Sequence, residues 1–121
     1  MLFTVDFQSR TSVSQQIVDK VEEYIRAGIL HPEDKLPSIR ELTSEIGVNP
    51  NTIQKAYTEL DSRGIVVSAA GRGYFVSRDV YEVLKKKAEA RLPEFEKFVK
   101  ELCSSGITKQ TLKDIIDNNI Q

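Results

Sequence analysis

Four consecutive residues, Gly47-Val48-Asn49-Pro50, constrain this chain more than any others. Ahead of them, Ser38-Ile39-Arg40-Glu41 has the form of a capping box, with Ser at the N-cap and an acid three residues on. It opens a short helix with Ile39, Leu42 and Ile46 inward, and Gly47 is placed to stop it. Behind them, Asn49 suits an N-cap. Pro50 takes the first helical position, where a missing N–H is not needed. The helix that follows runs to about Arg63, with Ile53, Ala56, Tyr57 and Leu60 as its apolar stripe. Gly64 ends it. A joint this short, containing glycine, forces two amphipathic helices to cross steeply, as in a helix-turn-helix.

The remaining segments fit around that pair. Leu2, Phe3, Val5 and Phe7 alternate with polar residues, so the N-terminus is a short strand or a packing arm. Ser12-Val13-Ser14-Gln15 is another box. It opens a helix with Val13, Ile17, Val21 and Ile25 in phase, ended at Gly28. Ile29 to Pro37 is a loop. Ile65-Val66-Val67-Ser68 and Tyr74-Phe75-Val76-Ser77 are strand-like, and the glycine-rich link 69–73 suits a hairpin. Three helices and a hairpin make a winged helix-turn-helix. Asp79-Val80-Tyr81-Glu82 then opens a long helix with Leu84, Ala88, Leu92, Phe95, Val99 and Leu102 on one face. The stripe keeps phase across Pro93, which predicts a kink and not a break. Thr108 starts a last helix with Leu112, Ile115, Ile116 and Ile120. The fold class is α+β, mainly helical. A winged helix-turn-helix spans 1–78, and a two-helix appendage spans 79–121.

Composition narrows the function classes. Among 121 residues there is one Cys, Cys103, and one His, His31. That excludes a disulfide framework and a Cys-based zinc site, and leaves no nucleophile–His–acid set. There is no P-loop, and Gly71-Arg72-Gly73 is too short for a dinucleotide fingerprint. No enzyme activity, metal or cofactor is expected. No stretch approaches the ~20 apolar residues of a membrane span, and the N-terminus lacks the pattern of a signal peptide, so a cytoplasmic setting is expected. Lys85-Lys86-Lys87 is flanked by acids and reads as a solvated helix face.

The net charge is −1, from 17 Lys and Arg against 18 Asp and Glu. That balance is unfavourable for DNA until the charges are placed. From Gly47 to Arg78 the only acids are Glu59 and Asp61, whereas Lys55, Arg63, Arg72 and Arg78 lie in the same stretch. The second helix of a helix-turn-helix presents its first turns to the major groove. Here those turns carry Asn49, Asn51, Thr52, Gln54 and Lys55. Asn and Gln suit adenine edges, and Lys suits guanine or phosphate. Arg72 on the slim hairpin tip suits a minor groove or phosphate. Plainer readings stand beside these. Asn49 is a cap before it is a base reader, Gln54 and Lys55 also suit solvated surface, Tyr57 suits the core, and Gly71 and Gly73 suit a turn.

Leu36-Pro37-Ser38-Ile39-Arg40-Glu41-Leu42, Val48-Asn49-Pro50-Asn51-Thr52-Ile53-Gln54-Lys55-Ala56-Tyr57 and Gly71-Arg72-Gly73-Tyr74-Phe75-Val76 together resemble the GntR family of bacterial transcriptional regulators. The resemblance covers about residues 11–78. It implies DNA contact by Arg40, whose alternative is a surface ion pair with Glu41 or Glu45. It places Ser38 in the same motif, Asn51, Thr52 and Gln54 among the recognition-helix contacts, and Gly71 and Arg72 at a wing tip in the minor groove. Many relatives have Arg where Pro50 and Gln54 stand, so their operator preference does not carry over. The Asn-Pro-Asn-Thr form is similar to the short subfamily named after YtrA, which has a small helical dimerisation part. That likeness implies repression of an operon for an ABC-type transporter.

The apolar stripe of 79–121 is too long for 43 residues to bury alone. A homodimer through this region is therefore expected, binding double-stranded DNA at a palindromic operator, with half-sites one DNA turn of about 34 Å apart or a multiple. A small-molecule effector between subunits stays open. The alternative function is a winged helix used for protein interaction or DNA replication, without promoter control.

Overall fold

The computed structural model describes residues 3–120. Leu2, part of the N-terminal apolar run, lies outside the described residues. The segment ahead of the first helix is an irregular arm and not a strand. Phe3 is buried, with its ring stacked 5.5 Å from that of Tyr24. Gln16 holds the arm. Its Oε1 accepts from the Asp6 amide at 2.8 Å, and its Nε2 donates to the Asp6 and Thr11 carbonyls.

Helix α1 (Val13–Arg26) starts where Ser12 Oγ accepts from the Gln15 amide at 3.2 Å. Helix α2 (Ile39–Ile46) starts in the same way, from the Glu41 amide to Ser38 Oγ at 3.0 Å. Gly47 closes α2 at φ 68°, a left-handed conformation that strains any residue with a Cβ. Helix α3 (Pro50–Ser62) begins with the Asn51 amide donating to Asn49 Oδ1 at 2.8 Å. Its stripe of Ile53, Ala56, Tyr57 and Leu60 is completely buried, against α1, α2 and the first strand.

Strands β1 (Val66–Ala69) and β2 (Gly73–Val76) pair antiparallel, Val66 with Val76 and Ala69 with Gly73. The segment before α2 is more than a loop. Lys35 bridges Phe75, the Val76 amide donates to the Asp34 carbonyl, and the Leu36 amide donates to the Tyr74 carbonyl. The wing is thereby tied to the chain that enters α2.

The core also encloses one acid. Glu22 is 4% exposed and meets Arg63 Nη1 at 3.5 Å and Arg26 Nη1 at 3.8 Å. A buried carboxylate needs such partners. Here one of them, Arg63 at the end of α3, also joins two helices. The stripe of α1 gave no sign of this, because Glu22 lies beside the apolar positions and reads as surface.

The expected single long helix with a kink is overturned. The chain forms α4 (Val80–Glu89) and α5 (Leu92–Ser104), separated at Ala90 and Arg91. Pro93 explains the break. It has no N–H for the Glu89 carbonyl, and its ring would press on that carbonyl. Restarting the helix puts Pro93 in the first turn of α5, where no donor is needed, and the Glu94 and Phe95 amides both donate to the Arg91 carbonyl. Helix α6 (Lys109–Asn119) follows, with Thr108 Oγ1 accepting from the Thr111 amide.

The chain divides into two compact units, residues 1–84 and 85–121. All the buried apolar side chains among the described residues lie in the first, from Phe3 to Val80. In the second, no residue of α5 or α6 is buried, and Leu92, Phe95 and Phe98 are each more than half exposed.

A Cβ on Gly47 would meet nothing within 4 Å, so substitution there tests backbone strain alone. Gly47→Ala is expected to lower unfolding stability by about 1–2 kcal/mol, and Gly47→Asn by less, because Asn tolerates the left-handed region. Urea midpoints check this, and equal stability of all three proteins would refute the strain.

Candidate nucleic-acid interface

The burial of one side of α3 fixes what the other side shows. Asn51, Gln54 and Lys55 are exposed and Thr52 is half-buried. Arg40 is exposed in the first turn of α2. Its alternative ion pair with Glu41 or Glu45 does not form. Among the described residues Arg40, Lys55 and Arg72 have no carboxylate within ion-pair distance. The residue types of Ser38 and Asn49 are accounted for by their caps, which occupy Ser38 Oγ and Asn49 Oδ1.

Of the four cations between Gly47 and Arg78, two are engaged by acids. Arg63 pairs with Glu59 at 3.0 Å and with Glu22, and Arg78 pairs with Glu33 at 3.2 Å. The second pair is highly exposed and contributes little to stability. Arg63 belongs to the interior joint between α1 and α3. Lys55 and Arg72 remain as the cations of this stretch without an acid partner.

At the wing tip, Gly71 and Arg72 sit in a turn closed by the Arg72 amide and the Ala69 carbonyl at 2.9 Å. Gly73 has two reasons to be glycine. Its φ is 106°, and a Cβ there would lie 3.2 Å from Lys35 Cε. Lys35 thus runs from its bridge with Phe75 toward the tip end of the wing and adds a cation that sequence reading missed. Its only sequence signal was an exposed lysine in an apparent loop.

Gln54 differs most from expectation. Its Nε2 donates to Tyr74 Oη on β2 at 2.9 Å and to Thr58 Oγ1 at 3.2 Å. The Tyr74 ring meets that of Tyr57 edge-on, with centroids 5.1 Å apart. Tyr57 is buried and donates from Oη to the Pro37 carbonyl at 2.7 Å. One chain of contacts therefore runs from α3 through the wing to the residue before Ser38. Burial, and after it the Glu41 and Glu45 carboxylates, push the Tyr57 pKa far above that of a free tyrosine.

Residues 13–76, more than half of the chain, match the family described as bacterial regulatory proteins, gntR family. The chain belongs to the GntR family. It is a family of DNA-binding transcription regulators and not of enzymes, and its helix-turn-helix with a wing is the fold seen here. Over 83 residues the chain is 41% identical to the HTH-type transcriptional repressor YtrA of Bacillus subtilis strain 168, a match covering 69% of this chain and 64% of YtrA. The chain thus spans just under two-thirds of that relative. A transcriptional regulator from Oenococcus oeni has a similar structure, with a TM-score of 0.76 at 26% identity, over 97% of this chain and 98% of that one. The AraR DNA-binding domain in complex with operator ORX1 is similar at a TM-score of 0.55 and 32% identity, over 63% of this chain and 96% of that one.

The raised Tyr57 pKa has a stability consequence with a definite sign. Below about pH 10, where free tyrosine ionises, folded and unfolded states both keep the proton and the contribution is complete. Above it the unfolded state ionises first, so stability falls as pH climbs toward the folded value. Unfolding midpoints should decline from about pH 10 upward. In Tyr57→Phe that decline should flatten, with about 1 kcal/mol lost at neutral pH from the bond to Pro37. An equally steep decline in the variant would contradict this.

Proposed function

We propose that this GntR-family protein is a dimeric repressor that binds a palindromic operator, with residues 1–78 contacting DNA and residues 79–121 pairing two copies. The observation that carries the reading is the acid-free exposed start of α3, with Asn51, Thr52 and Lys55 outward, flanked by Arg40 on α2 and Arg72 on the wing. Asn51 and Thr52 suit base edges or phosphate, and the three cations suit phosphate or the minor groove. Gly71 and Gly73 let the wing backbone approach closely.

Repression is supported by the likeness to YtrA, itself a repressor. Resemblance to its subfamily supports an operon for an ABC-type transporter as target. Pairing is supported by the apolar faces of α5 and α6, which a lone chain leaves in water. Specific sites need about 4–10 kcal/mol over non-specific DNA, and a two-fold arrangement doubles the few contacts one copy can make.

Selection from random duplexes should return a palindrome, and anisotropy should give an affinity that falls with salt. Arg40→Ala and Arg72→Ala should each weaken binding by about tenfold and lower the salt exponent by ~0.9, one phosphate contact, with folding intact. An affinity indifferent to salt would refute phosphate contact and favour a protein-binding wing. Sizing should give twice the chain mass at micromolar concentration, and Phe98→Glu should yield monomers that bind the palindrome more weakly. A monomeric wild type would overturn the dimer.

A further inference from the structure

We infer that Gln54 is a positioning residue that couples the recognition helix to the wing through Tyr74, and not a direct reader of bases. The inference rests on the DNA-binding reading above and adds how α3 and the hairpin act as one surface. Three observations carry it. Both hydrogens of Gln54 Nε2 are committed within the protein, one to Tyr74 Oη and one to Thr58 Oγ1. The bidentate contact with adenine needs an amide N–H, so it is not available without breaking this bridge. The bond to Tyr74 spans 20 positions in sequence and joins α3 to β2. Tyr74 is also placed by its edge contact with the buried ring of Tyr57.

The bridge does not depend on which way the amide is turned. With Oε1 inward, the Tyr74 and Thr58 hydroxyls would donate to it, and the same two elements would be joined. The hairpin has only two strands, and the backbone bonds that anchor β2, such as Val76 to Asp34 and Leu36 to Tyr74, run to the segment before α2 and not to α3. A two-stranded hairpin is marginal by itself. A side chain that fixes its second strand to α3 therefore sets where Arg72 stands relative to Asn51 and Lys55.

The test uses Tyr74→Phe, which removes only the hydroxyl, and Gln54→Met, which keeps the length and helix preference of the side chain. The probe is the duplex that the wild type selects from a random library, and Arg72→Ala marks the base positions that depend on the wing. Each variant should weaken binding by about three- to tenfold, the scale of one hydrogen bond. The double variant should be no weaker than Gln54→Met. Base preference should fade at the positions marked by Arg72→Ala. If Tyr74→Phe binds as wild type does, while Gln54→Met changes preference at a position that Arg72→Ala leaves alone, Gln54 is a base reader and the inference fails.

A second arm needs no DNA. Amide exchange across Val66–Val76 in the free protein should quicken in both variants. It should stay slow in Gln54→Glu, whose carboxylate can accept from the Tyr74 hydroxyl. Unchanged exchange in Tyr74→Phe and Gln54→Met overturns the coupling. A wild type that selects no sequence refutes the DNA-binding reading, and the exchange arm then still decides whether the bridge holds the wing.

Discussion

The outward side of α3 is where it is because the inward side has no freedom. Ile53, Ala56, Tyr57 and Leu60 recur at helical spacing and are wholly inaccessible. Truncating one such side chain typically costs about 2–5 kcal/mol, a large part of the 5–15 kcal/mol that holds a small domain together. A small rotation of α3 would expose part of this stripe. Asn51 and Lys55 are therefore held in place by residues that never meet a ligand. Gly47 serves the same end from the other side. Its left-handed turn ends α2 two residues before the Asn49 cap of α3, with α2 packed on α3.

The sequence was most legible where one residue type answers one backbone demand. Ser12, Ser38 and Asn49 cap the helices they were expected to cap, because an orphan N–H group has few local partners. Gly47 and Pro50 punctuate for equally local reasons. It was least legible where a partner is distant in the chain. Glu22 finds Arg63, Lys35 finds Gly73, and Gln54 finds Tyr74 only after the fold is complete. The pleat offered a partial signal for the last pair, since Tyr74 and Val76 share one face of β2 and Val76 is buried. Pro93 shows a different limit. The apolar period ran through it unbroken, but period describes which face is buried, and a missing donor decides whether the backbone continues.

The two units hold themselves together differently. The first closes a core from Phe3 to Val80, with its one buried acid paired. The second has three helical stretches and almost nothing inside. Half-exposed Leu92, Phe95 and Phe98 recur at spacings of three, which puts them on one face of α5. An amphipathic helix takes most of its stability from what covers its apolar face, and isolated helices of this length are marginal in water. The C-terminal unit leaves that face uncovered among the described residues, and the pairing proposed above would cover it.

Charge ties these points together. A total of −1 gives no general attraction to a polyanion, so long-range steering is weak. What the fold supplies is local. It sequesters Glu22 in the core, pairs Glu33 and Glu59 with Arg78 and Arg63, and leaves Arg40, Lys55 and Arg72 without acid partners near the start of α3 and on the wing. Arg40, Lys55 and Arg72, with Lys35 on the wing, can neutralise only a few phosphates, and each contact contributes its share only where a phosphate lies within reach. A protein built this way gains little from DNA of arbitrary shape. On the operator-binding reading proposed above, it gains most when these cations and Asn51 and Thr52 are engaged at once, which makes the relative placement of α3 and wing matter more than the number of charges.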